Sequence, residues 1–415
     1  MNLQLLDPFR NSFPEVIEET LEEGIATTCA FNRRGTLLAT GCADGRCIIW
    51  DFDTRSVSVA FHGHTHGITS ISWSKNGRKM ITSSMDWTIN YIDVLTGTVE
   101  KIIRFESIVA SAQMHPKDNN VFVAVAHYED PVVYNIQTDE RFTLVAETGD
   151  AEKKPTKGAG RKDNVVTPVA VFNKNGSKIF VGSPRGLICT FDSTTLKQVN
   201  SFRVQGGAGI KSIQFSPNGQ EFLVNSTDRC IRVFQGENAK AADRSFSDPI
   251  DNTQWKKSGW NSDGDYVIGG SAAKSSHAIY IWSRVNGALI KKLEGPKEGI
   301  TDVLWHPIRP IIVSISHPGI VYVWASNYTE NWSAFAPNFK ELEENEEYIE
   351  REEEFDIVEE EESQPKKKQR GADEQESVDI LTVDKISYFS SEDEDDLLCI
   401  PIRIQPDPKP STSVK

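Results

Sequence analysis

One unit recurs seven times along this chain, and no other feature of the sequence restricts its fold as much. Each copy opens with an apolar, strand-like stretch ending on a large side chain: Phe31, Trp73, Met114, Phe172, Phe215, Trp260 or Trp305. A polar turn follows, with glycine four residues beyond that anchor in five copies, at Gly35, Gly77, Gly176, Gly219 and Gly264. A second apolar strand comes next, as in Leu37-Leu38-Ala39-Thr40. A third ends on an aromatic: Trp50, Tyr91, Tyr134, Phe191, Phe234, Trp282 or Trp324. The intervals between those aromatics are 41, 43, 57, 43, 48 and 42 residues. The longest holds a polar insertion at 148–164, and the interval of 48 holds a longer loop around 272–276.

A period of about 40–45 residues with four short strands per unit is the signature of a WD-repeat β-propeller blade. Trp50-Asp51 is an intact Trp-Asp dipeptide, and Gly63-His64 is a clean Gly-His element. A lone four-stranded sheet that is apolar on both faces cannot bury itself. Seven packed around an axis can, and they leave only short edges. Turns such as Lys75-Asn76-Gly77 and Pro217-Asn218-Gly219 put glycine where a positive φ is needed. The predicted fold class is therefore all-β, a seven-bladed WD40 β-propeller over residues 1–328. The last repeat runs out after its third strand, near Trp324. Residues close to the N-terminus, Leu3 to Leu6 or their neighbours, are expected to supply the missing outer strand and close the ring.

Beyond the repeats the charge balance changes. Residues 341–396 carry 24 acidic and 6 basic side chains, so the net charge of −15 belongs to the tail and the remainder is close to neutral. Acidic, low-complexity sequence cannot bury enough apolar area to offset the entropy of ordering it. An extended, mostly disordered C-terminal tail is expected, with 329–362 as an interaction segment and 363–415 as the disordered remainder. Aromatic and aliphatic residues punctuate it: Trp332, Phe335 and Phe339, then Leu342, Tyr348, Phe355 and Ile357, then an apolar island at 377–384. Pure solvation has no use for such residues, whereas short motifs that order on a partner do. The basic run at 365–370, with Lys366, Lys367, Lys368 and Arg370, reads as a nuclear import signal and implies a nuclear location. Ser390 and Ser391, followed by five acidic residues, suit an acid-directed kinase.

The search for chemistry finds none. No apolar run approaches the roughly 18 residues of a membrane helix, and the N-terminus lacks a signal peptide's basic start and apolar run. No cysteine pair has zinc-finger spacing, and disulfides are not expected without secretion. His62, His64 and His66 alternate, but Gly63-His64 sits where a WD repeat places its Gly-His element, so a structural role is expected. There is no P-loop and no G-x-S-x-G. Asp44, Asp86 and Asp228 occupy the tight-turn position of WD repeats, where bonds to turn backbone are expected. No catalytic residue, metal or cofactor is assigned. The insertion carries Lys153, Lys154, Lys157, Arg161 and Lys162, a candidate nucleosome contact through salt-dependent bonds to phosphate.

Over nearly its whole length the chain resembles the retinoblastoma-binding protein 5 family, the WD-repeat core subunits of COMPASS and MLL-type histone methyltransferase complexes. The resemblance includes Met1-Asn2-Leu3-Gln4-Leu5-Leu6, Phe31-Asn32-Arg33-Arg34-Gly35-Thr36-Leu37-Leu38-Ala39, and Trp305-His306-Pro307-Ile308-Arg309-Pro310. Its most specific part is Glu330-Asn331-Trp332-Ser333-Ala334-Phe335-Ala336-Pro337-Asn338-Phe339-Lys340-Glu341-Leu342, which lies outside the common repeats. The resemblance implies a non-catalytic scaffold that bridges and activates a SET-domain subunit methylating histone H3 lysine 4. It implies that Trp332, Ser333, Ala334, Phe335, Pro337, Phe339, Glu341 and Leu342 belong to an activation segment bracing the SET domain. Glu347, Tyr348, Arg351, Glu352, Glu353, Phe355, Asp356 and Ile357 would bind a SPRY-domain subunit, their acidic side chains suiting a basic groove. Val378, Asp379, Ile380, Thr382, Val383 and Asp384 would dock on a second WD40 subunit. The basic insertion is longer and more charged than in animal members, and the tail beyond Leu397 is largely different. The alternative is a WD40 substrate receptor of a ubiquitin ligase, or another nuclear scaffold. A pull-down dominated by ligase subunits would favour it.

Overall fold

The computed structural model describes residues 13–145, 167–236, 241–248, 250–326 and 396–400. These residues form 28 β-strands and no helix. The strands pair antiparallel into seven four-stranded sheets. Blade 1 consists of Ala26–Phe31, Leu37–Cys42, Arg46–Asp51 and Ser56–His62, and five more blades repeat that consecutive order, ending with Leu289–Glu294. Blade 7 takes Ile300–Trp305, Ile312–Ser316 and Val321–Ala325 from the end of the repeats, and its outer strand, Val16–Leu21, from the start of the chain. The ring is thus closed by an N-terminal strand, with Leu21 opposite Val321 and Val16 opposite Ala325. That strand lies at 16–21; Leu3 to Leu6 fall outside the described residues.

Burial explains the strand compositions. Second strands such as Leu37–Cys42 are buried at every position, because neighbouring blades cover both faces. Fourth strands such as Thr98–Arg104 alternate toward solvent at the rim. Seven apolar clusters fill the gaps between neighbouring blades, one to each gap. The cluster in the closing gap joins Leu21, Val313, Val321 and Val323 of blade 7 to Cys29, Leu38, Ile48 and Trp50 of blade 1.

Polar contacts reinforce the ring. In six blades the pairing of first and second strands slips at the same point, after Ala26, Ile68, Val109, Ile210, Trp255 and Ile300. A bulge leaves one residue out of the ladder and re-aims its side chain. In three of these blades that side chain reaches the next blade. Thr27 donates to the Ile68 carbonyl at 2.7 Å, Thr69 to the Val109 carbonyl at 2.7 Å, and the Lys211 ammonium to the Trp255 carbonyl at 3.0 Å. At the closing seam the buried Asp302 carboxylate accepts from the Thr28 hydroxyl at 3.0 Å and the Cys29 amide at 3.4 Å. Lys257 of blade 6 lies 3.5 Å from the same carboxylate, whose charge raises the lysine's pKa against the opposing effect of burial.

Candidate interaction surfaces

The propeller has two turn faces, and each displays a different chemistry. The first-to-second strand turns and the C-terminal ends of the third strands share one end of every blade, since Leu37 pairs with Asp51 and Ile312 with Trp324. This is the exit face: Ser326 leaves the ring here, its hydroxyl donating to the Phe13 carbonyl at 3.3 Å. The opposite, crossover face carries the second-to-third strand turns and the connections between blades.

Two histidines stitch blades together on the exit face. His306 accepts at Nδ1 from the amides of Ile308 at 3.1 Å and Arg309 at 2.8 Å. This places its proton on Nε2, which donates to the Gly35 carbonyl at 3.1 Å. Burial pushes His306 down to about 4, against the opposing pull of that carbonyl. His115 repeats the arrangement with Lys117, Asp118 and the Gly176 carbonyl. The two receiving glycines have φ of +74°, and a β-carbon on either would lie 2.3–2.4 Å from the histidine ring, so no larger residue fits without displacing it.

A short tail segment also rests on the exit face. Residues 396–400 cross the first-to-second strand turns of blades 1 and 2. Asp396 meets Arg34 at 2.9 Å, the Leu397 amide donates to the Asn76 carbonyl at 2.9 Å, and Asn32 donates to the Leu397 carbonyl at 3.3 Å. Leu397 and Ile400 pack on the cluster between those blades, beside Val59, Ile71, Trp73 and Val99, while Leu398 and Cys399 face solvent.

The crossover face is shaped by aspartates in turns. Asp44, Asp86 and Asp228 accept from the amides of Arg46, Thr88 and Cys230 at 3.0, 3.0 and 3.3 Å, the turn-holding role their position predicts. His64 bridges Asp86 at 3.0 Å and Thr82 at 2.9 Å, as a WD-repeat histidine does. Burial alone would raise the Asp86 carboxyl, but hydrogen bonds from Thr88, Thr65 and His64 hold it below its ordinary value. Burial, the largest effect on His64, lowers its pKa despite Asp86. Blade 7 has neither group: Gly295-Pro296 stands where blade 2 has Gly63-His64, and Pro318 where it has Asp86. His277, from the second-to-third strand turn of blade 6, contacts Ser314 of blade 7 through Nε2 at 2.7 Å, and its Nδ1 is buried without a hydrogen-bond partner.

One turn position on this face has φ between +67° and +99° in five blades. Gly45, Gly186 and Gly319 fill it in three, but Trp87 and Arg229 fill it in the others, and in blade 3 the positive φ, +64°, falls one residue earlier, at Tyr128. A left-handed conformation costs a non-glycine residue about 1–2 kcal/mol, and such strain concentrates at functional sites. Trp87 is 51% and Tyr128 76% exposed, and Met85 and Ile108 are exposed beside them in sequence, on the turns and connection of blades 2 and 3. The Trp87 carbonyl accepts from the Phe105 amide and the Ile108 carbonyl from the His127 amide, so the intervening connection links the two turns. Exposed aromatics on neighbouring turns are the usual anchors of protein interfaces. Sequence reasoning missed them. The signal was the contrast of Asp86-Trp87 with Asp44-Gly45.

Every residue assigned from the sequence to a partner lies outside the described residues. This holds for the activation segment, both subunit-binding motifs, the basic insertion and the import run.

Comparison with known proteins supplies what the geometry does not. The family "WD domain, G-beta repeat" matches residues 19–51, 55–93 and 196–235. The chain is 40% identical to the "Retinoblastoma-binding protein 5 homolog" of Drosophila melanogaster over 95% of this chain and 80% of that one. It is 37% identical to "Set1 complex component swd1" of Schizosaccharomyces pombe over 87% and 91%. The β-propeller domain of Cps50 (Swd1) from Myceliophteria thermophila superposes with a TM-score of 0.67 at 27% identity, covering 76% of this chain and all of that one.

Proposed function

The chain belongs to the retinoblastoma-binding protein 5 and Swd1 family, and from that premise we propose that it is a non-catalytic scaffold subunit of a COMPASS-type histone H3 lysine-4 methyltransferase complex in the nucleus. The observation that carries this reading is similarity to a Set1 complex component over 87% of the chain, too long a match to reflect shared repeats alone. The propeller supplies a rigid body. Many of its polar groups hold turns and join blades, and among the described residues no group of three or more metal-binding side chains is assembled. In this reading residues 332–342 brace a mobile SET domain, residues 347–357 hold a SPRY-domain subunit, and residues 378–384 hold a second WD40 subunit. The scaffold acts by shifting a population: contacts made only with the active arrangement of the SET domain favour that arrangement by their differential affinity. Several weak motifs on one chain reinforce each other through effective concentration. The basic insertion adds a salt-dependent contact to nucleosomal DNA.

The test is histone H3 methylation by SET-domain, SPRY and second WD40 subunits reconstituted with the full chain, with a chain ending at Ser326, or with neither. The shortened chain keeps every strand of the propeller. Stimulation by the full chain alone is expected. Absence of stimulation by a folded full chain refutes the assignment.

A further inference from the structure

The contact of residues 396–400 with the exit face has the makings of a ligand site, and it stands independently of the complex assignment. The tail leaves the ring at Ser326 on blade 7 and is held again at Asp396 on blades 1 and 2, on the same face. The intervening 327–395 could extend roughly 230 Å, so chain length alone does not impose the return. The contacts discriminate among sequences. Asp396, its side chain only 7% exposed, is paired with Arg34. The backbone of Leu397 is gripped on both sides, its amide by the Asn76 carbonyl and its carbonyl by the Asn32 side chain. Leu397 lies over Gly77, where a β-carbon would already be in contact at 3.5 Å. Ile400 fills the same apolar seam three residues later, and the two side chains between them point to water. An acidic residue, an aliphatic one immediately after it and another three further on is therefore the pattern the groove reads.

We propose that the groove over the first-to-second strand turns of blades 1 and 2 is a peptide-binding site for acidic–aliphatic segments, and that its resident ligand is this chain's own 396–400, bound intramolecularly as a releasable latch. A tethered ligand at an effective concentration of about 1 mM keeps a site of about 100 µM affinity roughly ten-elevenths filled. The latch is thus closed at rest, yet a competing segment can open it.

The experiment uses the full chain. Hydrogen exchange should show the Leu397 amide protected at least tenfold over a free peptide, equally at 1 and 100 µM chain. A fluorescein-labelled peptide of residues 393–402 should bind the full-length L397D/I400D variant, whose groove is vacated, with a dissociation constant between about 10 and 100 µM. It should bind the unaltered chain at least fivefold more weakly, and adding Arg34→Glu to the variant should weaken its binding at least fivefold. An unprotected Leu397 amide, or a vacated groove that ignores the peptide, overturns the site. Protection that rises with chain concentration overturns the intramolecular assignment in favour of exchange between copies. Unaltered circular dichroism of both variants keeps loss of folding from being mistaken for either result.

Discussion

Replacing Gly35 with alanine probes how the ring is held shut. Gly35 has φ of +74°, and a β-carbon there would lie 2.3 Å from the ring of His306. The left-handed backbone costs alanine about 1 kcal/mol, and the reduced freedom of the unfolded chain returns about 0.4–1 kcal/mol, so these terms nearly cancel. What remains is steric. His306 must tilt out of its place against Phe31 and Phe52, whose rings lie 5.0 and 5.4 Å from its own. It then gives up its hydrogen bond to the Gly35 carbonyl, worth about 1 kcal/mol, and packing worth about another 1–2 kcal/mol. The expected loss is about 2–3 kcal/mol, read as a lower urea midpoint by tryptophan fluorescence. Gly236→Ala is the control: its φ is also +74°, but no described atom lies within 4 Å of its would-be β-carbon, so a change within about 0.5 kcal/mol is expected. In a His306→Ala background the alanine at 35 should lose most of its effect, a coupling of about 2 kcal/mol. Equal midpoints for G35A and G236A would refute the idea that His306 packing holds the seam.

Three further outcomes follow from the same contacts. Burial holds His277 and His306 down to about 4, below an unfolded value near 6.5, so the stability they contribute is complete above pH 6.5 and is lost as pH falls toward 4. Each should cost about 2 kcal/mol by pH 5; an H277Q/H306Q variant that kept the full decline between pH 7 and 5 would contradict this. Asp302→Ala should cost about 2–4 kcal/mol, because it strips the Thr28 hydroxyl and Cys29 amide of their acceptor at the closing seam and leaves Lys257 without its counter-charge. A urea midpoint equal to that of the unaltered chain would deny the seam that role. W87A/Y128A should leave the unfolding midpoint within about 1 kcal/mol and weaken assembly of the reconstituted methyltransferase complex at least tenfold. Unchanged assembly in sedimentation would remove the exposed crossover-face aromatics as a contact.

Much of the fold was legible in the sequence because its signals are local. Anchor, turn glycine, buried strand and terminal aromatic recur within about 40 residues, and each follows from chain geometry or two-sided burial without knowledge of distant partners. The turn aspartates and the Gly-His element were readable for the same reason. The exposed aromatics were less so. Trp87 and Tyr128 look like ordinary members of an apolar repeat until the ring shows that their turn points outward and their φ is positive. The partner motifs were legible only through family resemblance. A motif that orders on another protein carries its logic in that protein's surface.

By itself, then, the sequence determined the number of blades, the strand order within each, the acidic character of the tail and the family to which the chain belongs. Tertiary structure alone decided which segment closes the ring. Val16-Ile17-Glu18-Glu19-Thr20-Leu21 is half polar and becomes a strand because Val321–Ala325 offers it an open edge and an apolar seam to receive Leu21. It also decided that residues 396–400 return to the propeller. Five residues with two inward-facing aliphatic side chains hold too little apolar area to announce a structure of their own. They acquire one where a groove supplies the missing half of every contact.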